Sequence, residues 1–466
     1  MVWKMYQTTT PTARPRPALK RTRRRALAAG SAGALLGAAA LAACGAPGAG
    51  GDAGAGAGAG PARLKAGATL VYWNDQAGAY PDLMQRWGTA FAEKSGVKVE
   101  VTGGVQDYAN KLTAAFAGGA APDVYRYLQE SIPLPAAVDR QMLLGLDALL
   151  KRDRYDLSEF RKDSVELYRW KGALRGLPRD YGLQLVYYNT DLFQRLGIPP
   201  LPTDWNDKTW TLQKFVDVCV QVARGGERYA LFVPRGRRLW ASFVYTNGGN
   251  VVKLGPEGVA TEFALAEKPA ADALQLMQDL IYKHRAAPEP AEEAGLGNQQ
   301  QLMQSGKLAM QITNPGTRGE FLRAGVSAFD VGVFPIGAGQ RRGVGGGGTG
   351  WGIAGITKLP EEAWAFLQHI TSKQAQLDEV AIGQTTPSRT SVVTSQEFLD
   401  PSRPPKSARV FADGQEYVVR DPVAARWPDV ERDVVTPLMN DGLWSGKAPA
   451  AQVAKEIKEK GDSYFK

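Results

Sequence analysis

The chain has 466 residues, enough for two or three domains. Hydrophobic residues make up 44% and charged residues 22%, a balance that is typical of globular proteins and excludes wholesale disorder. The formal net charge is +9, but residues 1–43 hold eight basic residues and no acid, so the rest of the chain carries +1. This distribution excludes a basic, nucleic-acid-binding body. No apolar window of about 18 residues follows position 50, which excludes a multi-span membrane protein.

Residues 1–43 have the pattern of a secretory signal peptide. The basic run Arg21–Arg25 precedes a weakly apolar Ala/Gly/Leu stretch that ends in small residues. Leu41–Gly45 resembles the lipobox of bacterial lipoproteins, in which the cysteine, here Cys44, is acylated. Thr22–Leu27 also resembles a twin-arginine export motif, so both this route and the general secretory route stay open. We therefore expect an extracytoplasmic protein that a lipid on Cys44 attaches to the membrane.

Residues 44–67 are rich in glycine and alanine and predict a flexible tether after the lipidated cysteine. The chain has two cysteines, so a lipid on Cys44 leaves Cys219 without a disulfide partner. Cys219 shares a helical spacing with Leu212, Phe215 and Val216, which indicates a core thiol.

The globular part opens with a βαβ pattern. Thr69–Trp73 is a short β-type run, Pro81 and Asp82 begin an amphipathic helix that ends before Gly96, and Val97–Val101 alternates as the next strand. Such a unit predicts an α/β fold with a parallel sheet and helices on its faces. Ligands of these folds bind beyond the carboxyl ends of the strands, here in the loops Asn74–Gly78 and Tyr127–Ser131.

The order of segments along the chain resembles the extracellular solute-binding proteins of ABC importers, in particular the large family that includes maltose- and other sugar-binding proteins. The resemblance covers the chain from about Thr69 to Phe465. No single segment is specific for this family, but the set of segments in this order is. The segments that carry it are Thr69–Trp73, Val97–Val101, Ala121–Val124, Gly176–Tyr181 with Tyr187–Phe193, Thr209–Thr211, Gln304–Met310 and Gly350–Ile353.

The resemblance implies a two-lobed, periplasmic-binding-protein-like α/β fold, with hinge strands and a central ligand cleft. Mapped onto this sequence, the first lobe comprises residues 68–178 and 352–372, and the second comprises 179–351 and 373–466. The long apolar run Tyr181–Asn189 suits a strand that passes between lobes. The glycine-rich segment Gly343–Gly352 suits a hinge whose backbone dihedrals are free to change, although a flexible hairpin loop is the alternative.

Motifs of enzymes are scarce. The two histidines, His284 and His369, have no partner at metal-ligand spacing, and no phosphate-binding GxxxxGK[ST] loop occurs, so we expect no metal, no cofactor and no enzymatic activity. A pair of carboxylates that hydrolyses glycosides stays open as the main enzymatic alternative.

The candidate ligand-binding residues combine aromatic rings for stacking on sugar faces with polar groups for sugar hydroxyls. Trp351 is the foremost ring, because its glycine neighbours offer it no packing partner nearby in sequence. Asp123 and Asn247 have structural alternatives, as a strand cap and as part of a turn, and Arg389 could equally lie on the surface. The full set is Asn74, Asp75, Asp123, Tyr127, Glu130, Tyr181, Trp240, Asn247, Asn314, Gly316, Trp351 and Arg389.

The sequence thus predicts a monomeric, lipid-anchored solute-binding subunit of an ABC importer. Its partners would be a small molecule, most simply a mono- or oligosaccharide, the transmembrane permease and the membrane, with no nucleic acid. The alternatives are a binding protein for another solute, either a polyamine, which requires more acidic residues in the cleft, or a glycerol phosphodiester, which requires more arginines. A surface lipoprotein glycosidase is the alternative outside this class.

Overall fold

The computed structural model describes residues 63–226, 229–337, 341–383 and 386–466. The predicted signal peptide, Cys44 and most of the predicted tether lie outside these residues. Within them, no helix is both long and apolar enough to cross a membrane, and no three metal-ligating side chains form a group.

The predicted βαβ opening is confirmed. Tyr80–Ser95 buries Leu83, Trp87 and Phe91 on one face and ends at Gly96, whose φ of 73° is the left-handed conformation that glycine adopts readily. The elements of this part of the chain are β1 (Thr69–Trp73), α1 (Tyr80–Ser95), β2 (Lys98–Thr102), α2 (Tyr108–Ala117), β3 (Val124–Tyr127), α3 (Leu134–Asp139), α4 (Asp147–Asp153), α5 (Lys162–Glu166), β4 (Arg169–Trp170), β5 (Ala173–Leu174) and β6 (Leu177–Pro178).

The middle of the chain continues with helices that are capped by their own sequence, such as the one that follows Thr211, whose side chain accepts a hydrogen bond from the backbone of Lys214. Its elements are β7 (Gly182–Leu183), β8 (Leu185–Asn189), α6 (Thr190–Arg195), α7 (Leu212–Arg224), α8 (Arg237–Thr246), β9 (Val252–Leu254), β10 (Ala260–Phe263), α9 (Lys268–Tyr282), α10 (Pro290–Leu296), α11 (Gln299–Gln304), β11 (Met310–Thr313), α12 (Thr317–Arg323), β12 (Phe329–Gly332) and β13 (Val344–Gly347).

The last part of the chain returns to the first sheet and then adds helices to the second part of the fold. Its elements are β14 (Gly350–Ile353), α13 (Pro360–Ile370), α14 (Lys373–Ala381), α15 (Thr390–Val393), α16 (Gln396–Leu399), α17 (Arg409–Gly414), β15 (Val418–Arg420), α18 (Trp427–Val430), α19 (Thr436–Leu438) and α20 (Ala450–Gly461).

Two hydrophobic cores define two lobes. The first core contains buried side chains from residues 70–181 and 351–375, and the second contains side chains from 183–344 and 380–457. A five-stranded sheet in the order β2-β1-β3-β14-β6 forms the first lobe, and it is parallel except for β14, which runs antiparallel to β3 and β6. The second lobe holds the sheets β11-β8-β12 and β15-β13-β7. The predicted residue boundaries of the lobes stay a prediction.

The chain passes between the two sheets at Arg179–Tyr181 and again at Gly348–Thr349. The run from Tyr181 to Asn189, expected to be one crossing strand, is instead divided at Gln184. Its first half, β7, pairs with β13, whereas its second half, β8, pairs with β11 and β12. The crossing itself is therefore shorter than the sequence predicts and ends at the first residue of this run, Tyr181.

The glycine-rich segment is a packed part of the crossing. Its backbone is buried, and a Cβ atom added to Gly348 would lie 2.0 Å from the backbone oxygen of Asp180. At Gly345 the same atom would lie 2.3 Å from the oxygen of Arg238. These glycines are thus required because backbones approach one another without room for a side chain. The alternative of a flexible hairpin loop is wrong, because this segment is paired in β13 and β14.

Candidate ligand site

A cavity of about 580 Å³ lies where the carboxyl ends of β1 and β3 face the second lobe. The two strands are parallel, so the loops that follow them meet at one edge of the sheet. These loops contribute Gln76, Glu130 and Ser131 to the cavity wall. The second lobe contributes the start of α8, Gly236–Leu239, and the turn after β11, Asn314–Gly316. The glycine-rich crossing between the lobes, here called the glycine crossing, contributes Gly346–Thr349.

The wall of this cavity is charged but balanced. Four arginines line it, Arg126, Arg179, Arg237 and Arg238, and so do four carboxylates, Glu130, Asp180, Glu320 and Glu431. Among the described residues no aromatic side chain does so. The wall therefore offers hydrogen-bond donors and acceptors and no stacking surface.

Arg179 is the most tightly held of the four arginines. Its side chain is 2% exposed, its Nε donates to Glu379 at 2.6 Å, and its Nη1 donates to Asp180 at 2.7 Å. The guanidinium lies 4.8 Å from the ring of Tyr80 and 5.9 Å from that of Trp351. Its Nη2 is buried and has no hydrogen-bond partner among the described residues. Gln184 lines the same cavity, and its buried Oε1 likewise lacks a partner in the described part of the chain.

Arg237 and Arg238 occupy the first turn of α8 and share Asp421. Arg238 donates from Nε to Asp421 at 2.7 Å, and Arg237 also pairs with this carboxylate. Burial opposes the ionisation of Asp421, but the two guanidinium groups outweigh it and lower the pKa of this carboxyl. From the other lobe, Glu130 reaches Arg238 Nη1 at 3.0 Å. An ion pair therefore links the two lobes across the cavity.

Three of the predicted site residues, Glu130, Asn314 and Gly316, line the cavity. Asn314 Oδ1 accepts a hydrogen bond from the backbone of Gly316 at 2.9 Å, which shapes this turn. Asp75 lies directly behind the wall and pairs with Arg126. Asn74 is fully buried, and its Oδ1 accepts from the backbone of Gln76 at 3.0 Å, so it shapes the loop.

The expected aromatic platforms are core residues, and their assignment to the cavity wall is wrong. Trp351 is 1% exposed and packs edge-to-face on Tyr72, with ring centroids 5.5 Å apart. Its neighbours in space come from distant parts of the chain, which its flanking glycines allow to approach. Tyr127 and Tyr181 are buried in the first core, and Trp240 is buried in the second.

The remaining predicted site residues serve structural roles away from the cavity. Asp123 precedes β3, at the opposite edge of the sheet, where it accepts from the backbone of Val71 at 2.9 Å. Asn247 ends α8 at the end far from the cavity and donates to the Pro269 oxygen at 2.8 Å. Arg389 donates from Nε to the Thr371 oxygen at 2.7 Å. The structural alternatives hold for Asp123 and Asn247, whereas Arg389 is buried and not on the surface.

The four arginines were missed as site residues, although the sequence carries signals for them. Arg126 interrupts the apolar run Val124–Leu128, and a charge in such a run requires a partner or a ligand. Arg179 directly follows the short strand β6. Arg237 and Arg238 open a helix, where the macrodipole disfavours positive charge.

Comparison with known proteins now decides the family. Residues 86–405 match the family described as bacterial extracellular solute-binding protein. The chain belongs to this family.

Individual relatives agree with this assignment. A binding protein of Brucella abortus (strain 2308) is 28% identical over 237 residues, which are 47% of this solute-binding protein and 53% of the relative. The matched part thus spans about half the length of that relative. The sn-glycerol-3-phosphate-binding periplasmic protein UgpB of Rhizobium meliloti (strain 1021) is 23% identical over 336 residues, 68% of this chain and 75% of UgpB.

A solved structure confirms the two-lobed fold. The ABC substrate-binding protein Lmo0181 from Listeria monocytogenes, in complex with cycloalternan, superposes with a TM-score of 0.73 at 19% identity. The superposition covers 84% of this solute-binding protein and 97% of the Listeria chain.

Proposed function

We propose that this protein captures a small, hydroxyl-rich solute, most simply a mono- or short oligosaccharide, and delivers it to the permease of an ABC importer. The observation that carries the proposal is the cavity between the lobes, which Arg179 and Gln184 line. Directly behind its surface, Arg179 Nη2, a donor, and Gln184 Oε1, an acceptor, are buried without partners in the described part of the chain. Buried polar groups are costly unless they are paired, so a solute that pairs both is favoured.

The balance of charges narrows the class of solute. Four carboxylates face four arginines, so the wall has no excess of acids for a polyamine. One relative is named for sn-glycerol 3-phosphate, and one similar solved structure is a complex with cycloalternan, and both solutes have several oxygens. The lack of an aromatic ring in the described wall supports binding through hydrogen bonds more than through stacking.

The binding test uses Gln184→Leu, which removes the acceptor and keeps the volume of the side chain. We expect about two- to tenfold weaker binding of the solute, because one hydrogen bond is lost, with no loss of thermal stability. Gln213→Leu is the control, since Gln213 is exposed on α7 and bonds to Asp217. Calorimetric titration with a panel of sugars, followed by mass spectrometry of the recovered solute, makes the measurement.

The same titration separates a binding protein from a glycosidase. A receptor binds one solute per chain and returns it intact. Hydrolysed sugar in the recovered solute would contradict the proposal and support the enzymatic alternative.

Anchoring through a lipid on Cys44 and a monomeric state belong to the same proposal. The motivation is the Leu41–Gly45 sequence followed by the glycine-rich tether. Cys44→Ser should move the protein from the detergent phase to the aqueous phase in detergent partitioning. A variant that stays in the detergent phase would exclude this mode of attachment.

A further inference from the structure

A second cavity, of about 620 Å³, lies between the two lobes. The first lobe contributes the β4–β5 hairpin, Arg169–Gly172, and the second lobe contributes residues of β9 and the segment Val418–Val423. None of the described residues that line this second cavity also lines the charged cavity. The two cavities are neighbours, because Asp421 lines the second one and pairs with Arg238, which lines the first. The second cavity is thus a separate space of the size that binds small molecules.

The wall of the second cavity is largely apolar, and part of this apolar surface is accessible. Trp170 of the first lobe and Val418 and Val419 of the second lobe are half-buried. Leu254, at the end of β9, is 59% exposed and is the most exposed large hydrophobic side chain in the described part of the chain. Apolar surface that two lobes gather around a concave space is typical of a binding site, whereas single exposed apolar residues are ordinary.

Three of the charged side chains in this wall are engaged in ion pairs. Arg169 donates from Nε to Glu166 at 3.2 Å, so these two charges compensate one another. Asp421 accepts from Arg238 Nε at 2.7 Å and also pairs with Arg237, so its charge is directed toward the charged cavity. Neither carboxylate of the described wall is therefore free to pair with a further cation.

The other two charged side chains of the described wall are cations without such a partner. Lys171 at the tip of the β4–β5 hairpin and Arg420 at the end of β15 are both exposed. Neither forms an ion pair with a carboxylate of the described residues, and Lys171 Nζ lies 5.8 Å from the centre of the Trp170 ring. Each lobe thus places one uncompensated positive charge beside the apolar surface.

We propose that the second cavity is a binding site for a small amphiphilic anion, which has an aromatic or aliphatic body and one carboxylate. The body packs against Trp170 and Leu254, and the carboxylate lies near Lys171 and Arg420, where opposite charges attract. This site is distinct from the charged cavity, so the inference goes beyond the capture of a hydroxyl-rich solute. Because both lobes line the second cavity, its occupant contacts both of them.

Three probes separate the two parts of the expected ligand. 2-Naphthoate has an aromatic body and a carboxylate, 2-naphthalenemethanol has the body without the charge, and acetate has the charge without the body. Calorimetric titration of the purified protein measures their binding. We expect one 2-naphthoate per chain and about two- to tenfold weaker binding of 2-naphthalenemethanol, because the attraction of two solvent-exposed cations is lost. Acetate should show no saturable binding.

Substitutions at exposed positions locate the site without damage to a core. Leu254→Asp should weaken binding of 2-naphthoate by about tenfold or more, because it removes an apolar contact and brings a negative charge to the anion. Ile356→Asp is the matched control, since Ile356 is 39% exposed and does not line the second cavity, and it should change binding by less than about twofold.

The two cations are tested together. The double substitution Lys171→Gln and Arg420→Gln should weaken binding of 2-naphthoate by about two- to tenfold and leave that of 2-naphthalenemethanol unchanged. Thermal melts check that each variant is folded.

The possible outcomes decide the inference. If 2-naphthoate shows no saturable binding, the inference is overturned. Binding that Leu254→Asp leaves unchanged, or that Ile356→Asp weakens equally, places the probe elsewhere and overturns it as well. Equal affinities for 2-naphthoate and 2-naphthalenemethanol overturn the anionic class of ligand. None of these outcomes bears on solute capture in the charged cavity, so the two proposals fail separately.

Discussion

The aromatic cluster around Trp351 and the charged wall of the cavity meet within one pair of strands, yet they are built from different chemistry. Trp351 on β14 is the register partner of Arg126 on β3, and Arg179 touches both regions. The cluster is apolar and closed, with Tyr72 and Phe366 packed edge-to-face at 5.1 Å. The comparison indicates that the rings around Trp351 pack behind the wall, whereas guanidinium and carboxylate groups form its surface.

Replacing Trp351 should separate the two regions most strongly. Trp351→Ala leaves a large cavity in the first core, and we expect the free energy of unfolding to fall by about 3–5 kcal/mol. Urea denaturation measures this loss. The affinity of the folded fraction for solute should change less, because Trp351 does not itself line the cavity.

Trp170 provides the matched aromatic control. It lies half-buried on the β4–β5 hairpin and does not line the charged cavity. Trp170→Ala should therefore cost much less stability than Trp351→Ala. A Trp351→Ala variant that is as stable as the wild type but binds solute tenfold more weakly would contradict this assignment and support Trp351 as a stacking platform for the solute.

A substitution in the glycine crossing, which lines the charged cavity, should have a smaller effect on stability. Gly348→Ala places a methyl group against the Asp180 backbone, and we expect a loss of about 1–3 kcal/mol from overpacking. Gly295→Ala is the control, because Gly295 lies in α10 with no atom within 4 Å of the added group, so it should gain up to about 1 kcal/mol. Equal melting temperatures for the two variants would show that the crossing accommodates the added methyl group without loss of stability.

The smallest expected effect concerns pH. Burial, then Lys94, lowers the pKa of His369, which lies beside Phe91 and bonds to the Trp87 oxygen at 3.2 Å. The neutral form is thus favoured in the folded state, and stability should fall as the pH drops below the ordinary value of about 6.5. Urea denaturation at pH 7.5 and 5.5 should show this fall in the wild type and a smaller fall in His369→Gln. An equal fall in stability in the wild type and in His369→Gln would show that titratable groups other than His369 cause the fall.

Local patterns predicted the fold well because its first elements are defined by short-range chemistry. The alternation of Val97–Val101 and the glycine after α1 fix a strand and a helix end without distant contacts. The division of the Tyr181–Asn189 run at Gln184 was not predictable in this way. Which sheet each half joins depends on β13 and β11, which lie far along the chain.

The site was harder to predict because burial depends on contacts between distant residues. The glycines beside Trp351 suggested that its side chain lies in an open environment. In the structure these glycines instead make room for the side chains of Tyr168 and Leu143. Glu130 and Asn314 were predictable, since polar residues that follow a strand of such a sheet face the cleft. The arginines were overlooked because their charges pair with acids that the sequence places elsewhere, such as Asp421 and Glu379.

The buried thiol of Cys219 gives this molecule a built-in reporter. Burial raises the pKa of Cys219, which lies fully inside the second core on α7, so labelling reagents reach it only when that region opens. The sequence holds one other cysteine, Cys44. With that position substituted, the rate of thiol labelling reports the opening of the second lobe alone while the chain stays intact.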